Sequence, residues 1–220
     1  MKRQYIILTI SVIITLLAGV VIYIIIRRSK RDSFRKKLVS IAKRELKRWD
    51  GYSELDQEMS QTLIEYWKSA GKTFNKRQMM DASVHNTYPW SSAFISYLFY
   101  KAGAKDQFPY SPSHSTYFQK AKGMRDQKDA PLKGYRIEEY APKLGDLVVN
   151  SRLAGAGYHS TGHFPAHGEV VVEVGKGYIK TIGGNVQNSV KERTFKTDSK
   201  GFLRDNGVSF FMVIENNIKV

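Results

Sequence analysis

Apolar residues recur at helical spacing through the first half of the chain. The periodicity predicts helices over residues 34–49, around 59–67, over 91–102 and from 113 to about 122, with Ser113 as N-cap of the last. Glycines follow several of these segments, as they often do at the C-terminal ends of helices. The mostly polar stretch between the second and third helices, residues 72–89, is predicted as loop.

The second half of the chain changes to β-branched and aromatic runs between turn residues. Strands are predicted over 146–149, 168–174, 178–182 and 208–214, with a hairpin turn at 175–177. The interval 150–166 is broken by Gly and Pro and is predicted as a loop lining a cleft. Helices followed by an antiparallel sheet predict an α+β domain.

Before the first of these helices, residues 5–26 form an uninterrupted apolar run without a charge. At about 1.5 Å per residue this run is long enough for a hydrocarbon core of about 30 Å, and no signal-peptidase site follows it. The predicted organisation is therefore a short tail (1–4), a transmembrane anchor (5–26), a basic juxtamembrane segment (27–37) and a globular domain (38–220).

The net charge of +15 is concentrated near this anchor. Residues 1–50 carry 13 Lys/Arg against 3 Asp/Glu, and seven of these cations lie between Arg27 and Lys37. Such a cluster is typical of contact with anionic lipid headgroups, so nucleic acid is not predicted as a partner. The absence of cysteine excludes disulfides, thiolate metal sites and a cysteine nucleophile.

Three short motifs carry candidate chemistry. Ser91 follows Pro-Trp at the start of an apolar helix, where free amides and the helix dipole favour developing negative charge. His167 precedes a Val-rich strand, and Asn185 follows Gly-Gly at the end of the next strand. A nucleophile, a base and an orienting amide are the components of nucleophilic acyl transfer. We expect Ser91 and His167 to approach hydrogen-bond range.

At residues 89–94 (PWSSAF), 144–147 (LGDL), His167 and 182–185 (IGGN), the chain resembles the CHAP and NlpC-type amidase/peptidase superfamily. The resemblance is strongest to a bacterial branch whose helix motif reads PWSAAFIS, and it covers about residues 38–217. It implies a papain-like α+β fold, cleavage of peptidoglycan amide bonds, and the roles of nucleophile, base and orienting residue for Ser91, His167 and Asn185.

In that superfamily the nucleophile is a cysteine, whereas this chain has a serine. Two functions therefore stay open. One is a cell-envelope hydrolase without cofactor or metal, anchored in the inner membrane with its domain outside; the other is a catalytically inactive module that binds wall peptides or a protein partner. The cations after the apolar run would by the positive-inside rule place the domain in the cytoplasm, a third arrangement.

Further residues have either a functional or a purely structural interpretation. Trp90, His114 and Tyr110 are predicted to bind substrate, and Ser92 is the alternative nucleophile. His159 and His163 lie in the Gly-rich loop, either as loop residues or, with His167, as zinc ligands. Glu169 alternates with valines and is predicted to lie on an exposed strand face.

Overall fold

The computed structural model describes residues 2–204 and 207–220, with side chains from residue 16 onward. Its helices are α1 (Lys2–Arg48), α2 (Gln57–Ser69), α3 (Lys76–Met79), α4 (Ala82–Thr87), α5 (Ser91–Ala102) and α6 (His114–Gly123), with a 3₁₀ turn at Lys105–Gln107. The predicted bounds of α5 are confirmed, as is the Ser113 cap of α6, whose side chain accepts from the Ser115 amide. The loop prediction for 72–89 missed α3 and α4.

In the part of the chain that the structure describes, six antiparallel strands form one sheet. They are β1 (Leu132–Tyr135), β2 (Leu147–Ser151), β3 (Ala166–Gly175), β4 (Tyr178–Val186), β5 (Ser189–Lys196) and β6 (Phe210–Asn216), in the spatial order β1-β6-β2-β3-β4-β5. The α+β class and the antiparallel sheet agree with the sequence prediction. Strands β1 and β5 were not predicted, because neither shows the apolar alternation of a core strand.

The core lies between one face of the sheet and a layer of helices with α5 at its centre. Every residue of α5 from Ser91 to Phe99 is buried, so the helix is covered on all sides. It contacts α1 and α2 on one side and strands β3 and β4 on the other. A smaller apolar cluster covers the opposite face of the sheet. The N-terminus of α5 is therefore fixed deep inside the domain.

The basic segment 27–37 belongs to α1, and part of it packs on the domain. Phe34 is fully buried, and Arg35 forms a buried ion pair with Asp146 at 2.7 Å. Asp146 also accepts from the Lys143 and Asn216 amides at 2.8 and 2.9 Å. These contacts tie α1 to the turn before β2 and to β6.

The structure contradicts the predicted transmembrane helix over residues 5–26. Within the part of the chain that is described, no helix is both long enough and apolar enough to cross a membrane. Residues 5–15 of the predicted anchor lie outside the residues whose side chains are described.

Candidate active site

Ser91 is the first residue of α5, and its position is fixed by the residue before it. The indole Nε1–H of Trp90 donates to Glu54 at 2.7 Å, and the Trp90 ring stacks on Trp49 with centroids 4.8 Å apart. Trp90 is fully buried in these contacts. It therefore acts as the anchor of the helix start, which is the core-packing role rather than the predicted substrate contact.

The hydroxyl of Ser91 pairs with His114, the first residue of α6. Ser91 Oγ lies 2.7 Å from His114 Nε2, and the other ring nitrogen, Nδ1, lies 2.5 Å from the hydroxyl of Tyr117. His114 and Tyr117 are three residues apart on one helix face, which places the two side chains side by side. The three groups form a continuous chain of hydrogen bonds in the core.

This chain of hydrogen bonds is closed to solvent. Ser91 is 3% exposed, His114 6% and Tyr117 0%. Burial, with lesser contributions from the neighbouring His167 and Arg152, lowers the pKa of His114 well below its usual value. Burial and the nearby charge of Glu169 raise the pKa of Tyr117. At neutral pH the three groups are therefore a neutral imidazole between two neutral hydroxyls.

His167, the predicted base, has both ring nitrogens occupied by other partners. Arg152 Nη2 lies 3.1 Å from Nδ1, and Glu169 Oε1 lies 3.0 Å from Nε2. Because a guanidinium can only donate, Nδ1 must accept, and the ring proton resides on Nε2 and is donated to Glu169. His167 is thus held as one neutral tautomer, and burial lowers its pKa.

Glu169 is the centre of this second cluster, and its predicted exposure is wrong. It is 1% exposed and accepts from His167, from the Thr181 hydroxyl and from the Arg193 guanidinium. Burial raises the pKa of Glu169, but the hydrogen bonds from His167 and Arg193 and the charge of Arg193 outweigh burial and lower it. Its position two residues after His167 puts both on one face of β3, a spacing that was visible in the sequence.

The structure therefore arranges Ser91, His167 and Asn185 differently from the prediction. Ser91 bonds to His114 instead of His167, although the two imidazole rings are neighbours with centroids 5.6 Å apart. Arg152 and Glu169 orient His167, the role predicted for Asn185. Asn185 lies half-buried near the end of β4 with a φ of +56°, in the left-handed region that Asn tolerates.

The other predicted site residues lie apart from the contact between Ser91 and His114. Ser92 donates to the carbonyl of Ser111 at 2.9 Å and so has a structural role. Tyr110 lines a cleft of about 760 Å³ between α2 and α5. His159 and His163 are exposed in the loop between β2 and β3, and among the residues with described side chains no group of three His, Asp or Glu could hold a metal ion.

Two glycines make room for the clusters. A Cβ at Gly168 would collide with the hydroxyl of Tyr117, and one at Gly183 would lie 2.8 Å from the side chain of Glu169. Gly168 follows His167 directly, and Gly183 belongs to the Gly-Gly-Asn motif. These glycines are therefore required where the backbones of β3 and β4 approach the buried polar groups.

The loop of residues 152–165 covers the helix that carries His114. Ser115, next to His114, donates to the carbonyl of Phe164 at 2.9 Å, and Gln119 donates to that of Gly162 at 2.8 Å. Lys122 donates to the carbonyls of Tyr158 and Ser160 at 3.1 and 3.0 Å. Side chains of α6 thus hold the loop in place through its backbone.

A family model described as an uncharacterized protein conserved in bacteria (DUF2272) matches residues 45–213, more than three quarters of the chain. The match includes α5, α6 and strands β1 to β5. It therefore includes the buried cluster around His114 and the buried cluster around Glu169. No curated protein and no solved structure matches the chain.

Proposed function

The chain belongs to this bacterial family (DUF2272), and we propose that it hydrolyses amide bonds with Ser91 as nucleophile and His114 as general base. The observation that carries the proposal is the 2.7 Å contact between Ser91 Oγ and His114 Nε2. This distance lies within the range required for proton transfer between a nucleophile and its base. It replaces the predicted pairing of Ser91 with His167.

In the proposed reaction Ser91 Oγ attacks the carbonyl carbon of the amide while its proton passes to His114 Nε2. The imidazolium then donates that proton to the leaving nitrogen, and the C–N bond breaks to leave an acyl ester on Ser91. Water attacks the ester, gives a proton to His114 and releases the acid, after which the proton returns to Ser91. The cycle needs the tautomer in which His114 Nδ1–H donates to Tyr117.

The start of α5 supplies donors for the negative charge of the tetrahedral intermediate. The first hydrogen bond of the helix runs from the Phe94 amide to the Trp90 carbonyl at 2.9 Å. The amides of Ser91, Ser92 and Ala93 precede it and are therefore not used inside the helix. Amides aimed at a developing oxyanion are among the largest contributors to acyl-transfer catalysis.

The resemblance of the PWSSAF and IGGN motifs to CHAP and NlpC-type enzymes supports peptides of the bacterial cell wall as the substrate class. A substrate of this class would place the working domain outside the cytoplasm. Because Ser91 is 3% exposed, substrate entry requires the segments that cover it to move.

Labelling with a fluorophosphonate tests the proposal. The full-length protein should react at Ser91, and Ser91→Ala should abolish the adduct, which intact-protein and peptide mass spectrometry would locate. His114→Gln should slow labelling by about 10²-fold or more, the usual contribution of a general base. Ser92→Ala is the matched control because its hydroxyl is bonded elsewhere, and it should label at the wild-type rate. Absence of an adduct together with no cleavage of purified peptidoglycan would refute the enzymatic function.

A binding module without catalysis is the second candidate, and the burial of the pair favours it. If the Tyr117 hydroxyl donates to His114 Nδ1, the proton lies on Nε2, and His114 donates to Ser91 instead of accepting from it. Ser91 would then be a structural hydroxyl. Nitrogen NMR shifts of the His114 ring distinguish the two tautomers directly.

A further inference from the structure

Arg152 occupies an unusual position between the buried clusters and the solvent. It is the first residue after β2, and its amide donates to the Pro165 carbonyl at 2.9 Å, which closes the base of the loop 152–165. Its side chain is exposed overall, yet Nη2 reaches the buried His167. The guanidinium is therefore held at Nη2 by a ring that is 2% exposed, while the residue as a whole is exposed.

The charges around Arg152 do not balance. Glu169 is the acidic group of the site, and it is already paired with Arg193. Both His114 and His167 are held neutral, as their lowered pKa values indicate. Within the described side chains, no carboxylate lies within ion-pair distance of the Arg152 guanidinium. The site thus carries one excess positive charge.

The remaining N–H groups of this guanidinium are available to a ligand. Its one hydrogen bond among the described residues is the donation to His167, whereas a guanidinium has five N–H donors in a planar fork that matches a carboxylate. Burial and the charge of Arg193 lower the pKa of Arg152, against a smaller opposite effect of the Glu169 charge. A bound anion would relieve this repulsion.

We propose that Arg152 binds a carboxylate of the substrate, so that the favoured substrates are peptides with a free carboxylate close to the amide bond that is cut. The proposal deepens the proposed function and rests on it. Arg152 contacts His167, His167 neighbours His114, and His114 contacts Ser91. Arg152 is thus linked to Ser91 through two neighbouring imidazole rings, so a carboxylate on Arg152 would lie a few residues from an amide at Ser91.

Equilibrium binding tests the carboxylate site without requiring catalysis. N-acetyl-Ala-Ala and its C-terminal amide would be titrated by calorimetry into the full-length Ser91→Ala protein. The free acid should bind at least tenfold more tightly than the amide, since a charge-assisted bidentate pair is among the stronger hydrogen bonds. Adding Arg152→Gln, which keeps a donor for His167 but removes the charge, should abolish the difference. Arg152→Lys should retain part of it.

Arg28→Gln, the same change of charge on an exposed part of α1, is the control and should leave the preference intact. Equal binding of acid and amide, binding of neither, or a preference that survives Arg152→Gln would overturn the carboxylate site. Fluorophosphonate labelling of the wild type reports separately on Ser91. Loss of labelling with retained acid preference refutes catalysis alone, and labelling without acid preference refutes Arg152 alone.

Discussion

Replacing His114 by Gln should remove a definite part of the acid sensitivity of the fold. The ring is buried between Ser91 and Tyr117 and is held neutral, with a pKa well below the value of 6.5 that applies in the unfolded chain. Below pH 6.5 the unfolded state therefore binds a proton that the folded state excludes. Stability must fall as the pH falls, and the contribution is absent above pH 6.5.

The magnitude follows from the unfolded ring alone as long as the folded ring stays neutral. Between pH 6.5 and 5.5 the folded state should lose about 1 kcal/mol, and each further unit should cost at most about 1.4 kcal/mol. Other groups add their own slopes. The contribution of Glu169 to the free energy of unfolding decreases at lower pH. Protonation of Asp146, whose pKa burial raises to about 6, increases the free energy of unfolding. The difference between wild type and His114→Gln isolates the His114 contribution.

The measurement is urea unfolding of the full-length protein at pH 7.5, 6.5 and 5.5, followed by tryptophan fluorescence. Gln can still bond both hydroxyls, so the variant should fold, and its free energy of unfolding should depend less on pH by about 1 kcal/mol over the last step. His159→Gln, an exposed histidine in the loop, should leave the profile unchanged. Parallel profiles for wild type and His114→Gln would mean that His114 titrates normally, and the closed site would be refuted.

Two further substitutions test the packing around the site. Arg35→Met should cost about 3–5 kcal/mol at pH 7.5 because it leaves the Asp146 carboxylate buried without its cation, and Arg28→Met should stay within about 0.5 kcal/mol. The Arg35 loss should shrink at pH 5, where Asp146 is protonated; equal losses would contradict the ion pair. Gly184→Ala should cost about 1–3 kcal/mol, because its Cβ would lie 2.5 Å from an α5 side chain. Gly123→Ala, with free space around it, should not destabilise, and equal effects would refute the packing argument.

The sequence predicted elements wherever local signals and burial agree. The helix over Ser91–Ala102 was predicted to its ends because an apolar segment is closed by Gly103, whose φ of +91° completes the cap. The strand Ser189–Lys196 was missed because it lies at the sheet edge and alternates weakly. The apolar run of residues 5–26 predicted a membrane span, which is not found among the described residues.

The candidate site was only partly predictable, since its pairing depends on tertiary placement. The motif around Ser91 located the proposed nucleophile at a helix start. His167 was predicted just before its strand and lies at the second position of β3. Whether His114 or His167 contacts the Ser91 hydroxyl depends on where α6 packs in the fold. The spacing of residues along the chain does not encode that position. The signal for Glu169 was present as an i, i+2 partner of His167, but acidic residues alternating with valines usually face solvent.

The different roles proposed for His114 and His167 follow from the groups that surround each ring. A base for Ser91 must keep a lone pair for the hydroxyl, and His167 cannot, because Arg152 occupies its Nδ1 and its Nε2 proton is directed to Glu169. Among the described residues, the hydrogen-bond partners of His114 are both hydroxyl groups, which can each donate or accept. Its proton can therefore move from one nitrogen to the other while each hydroxyl keeps a hydrogen bond to the ring. The ring that is free to exchange protons is therefore the one that contacts the serine, while the fixed ring carries the cation that would position a charged substrate.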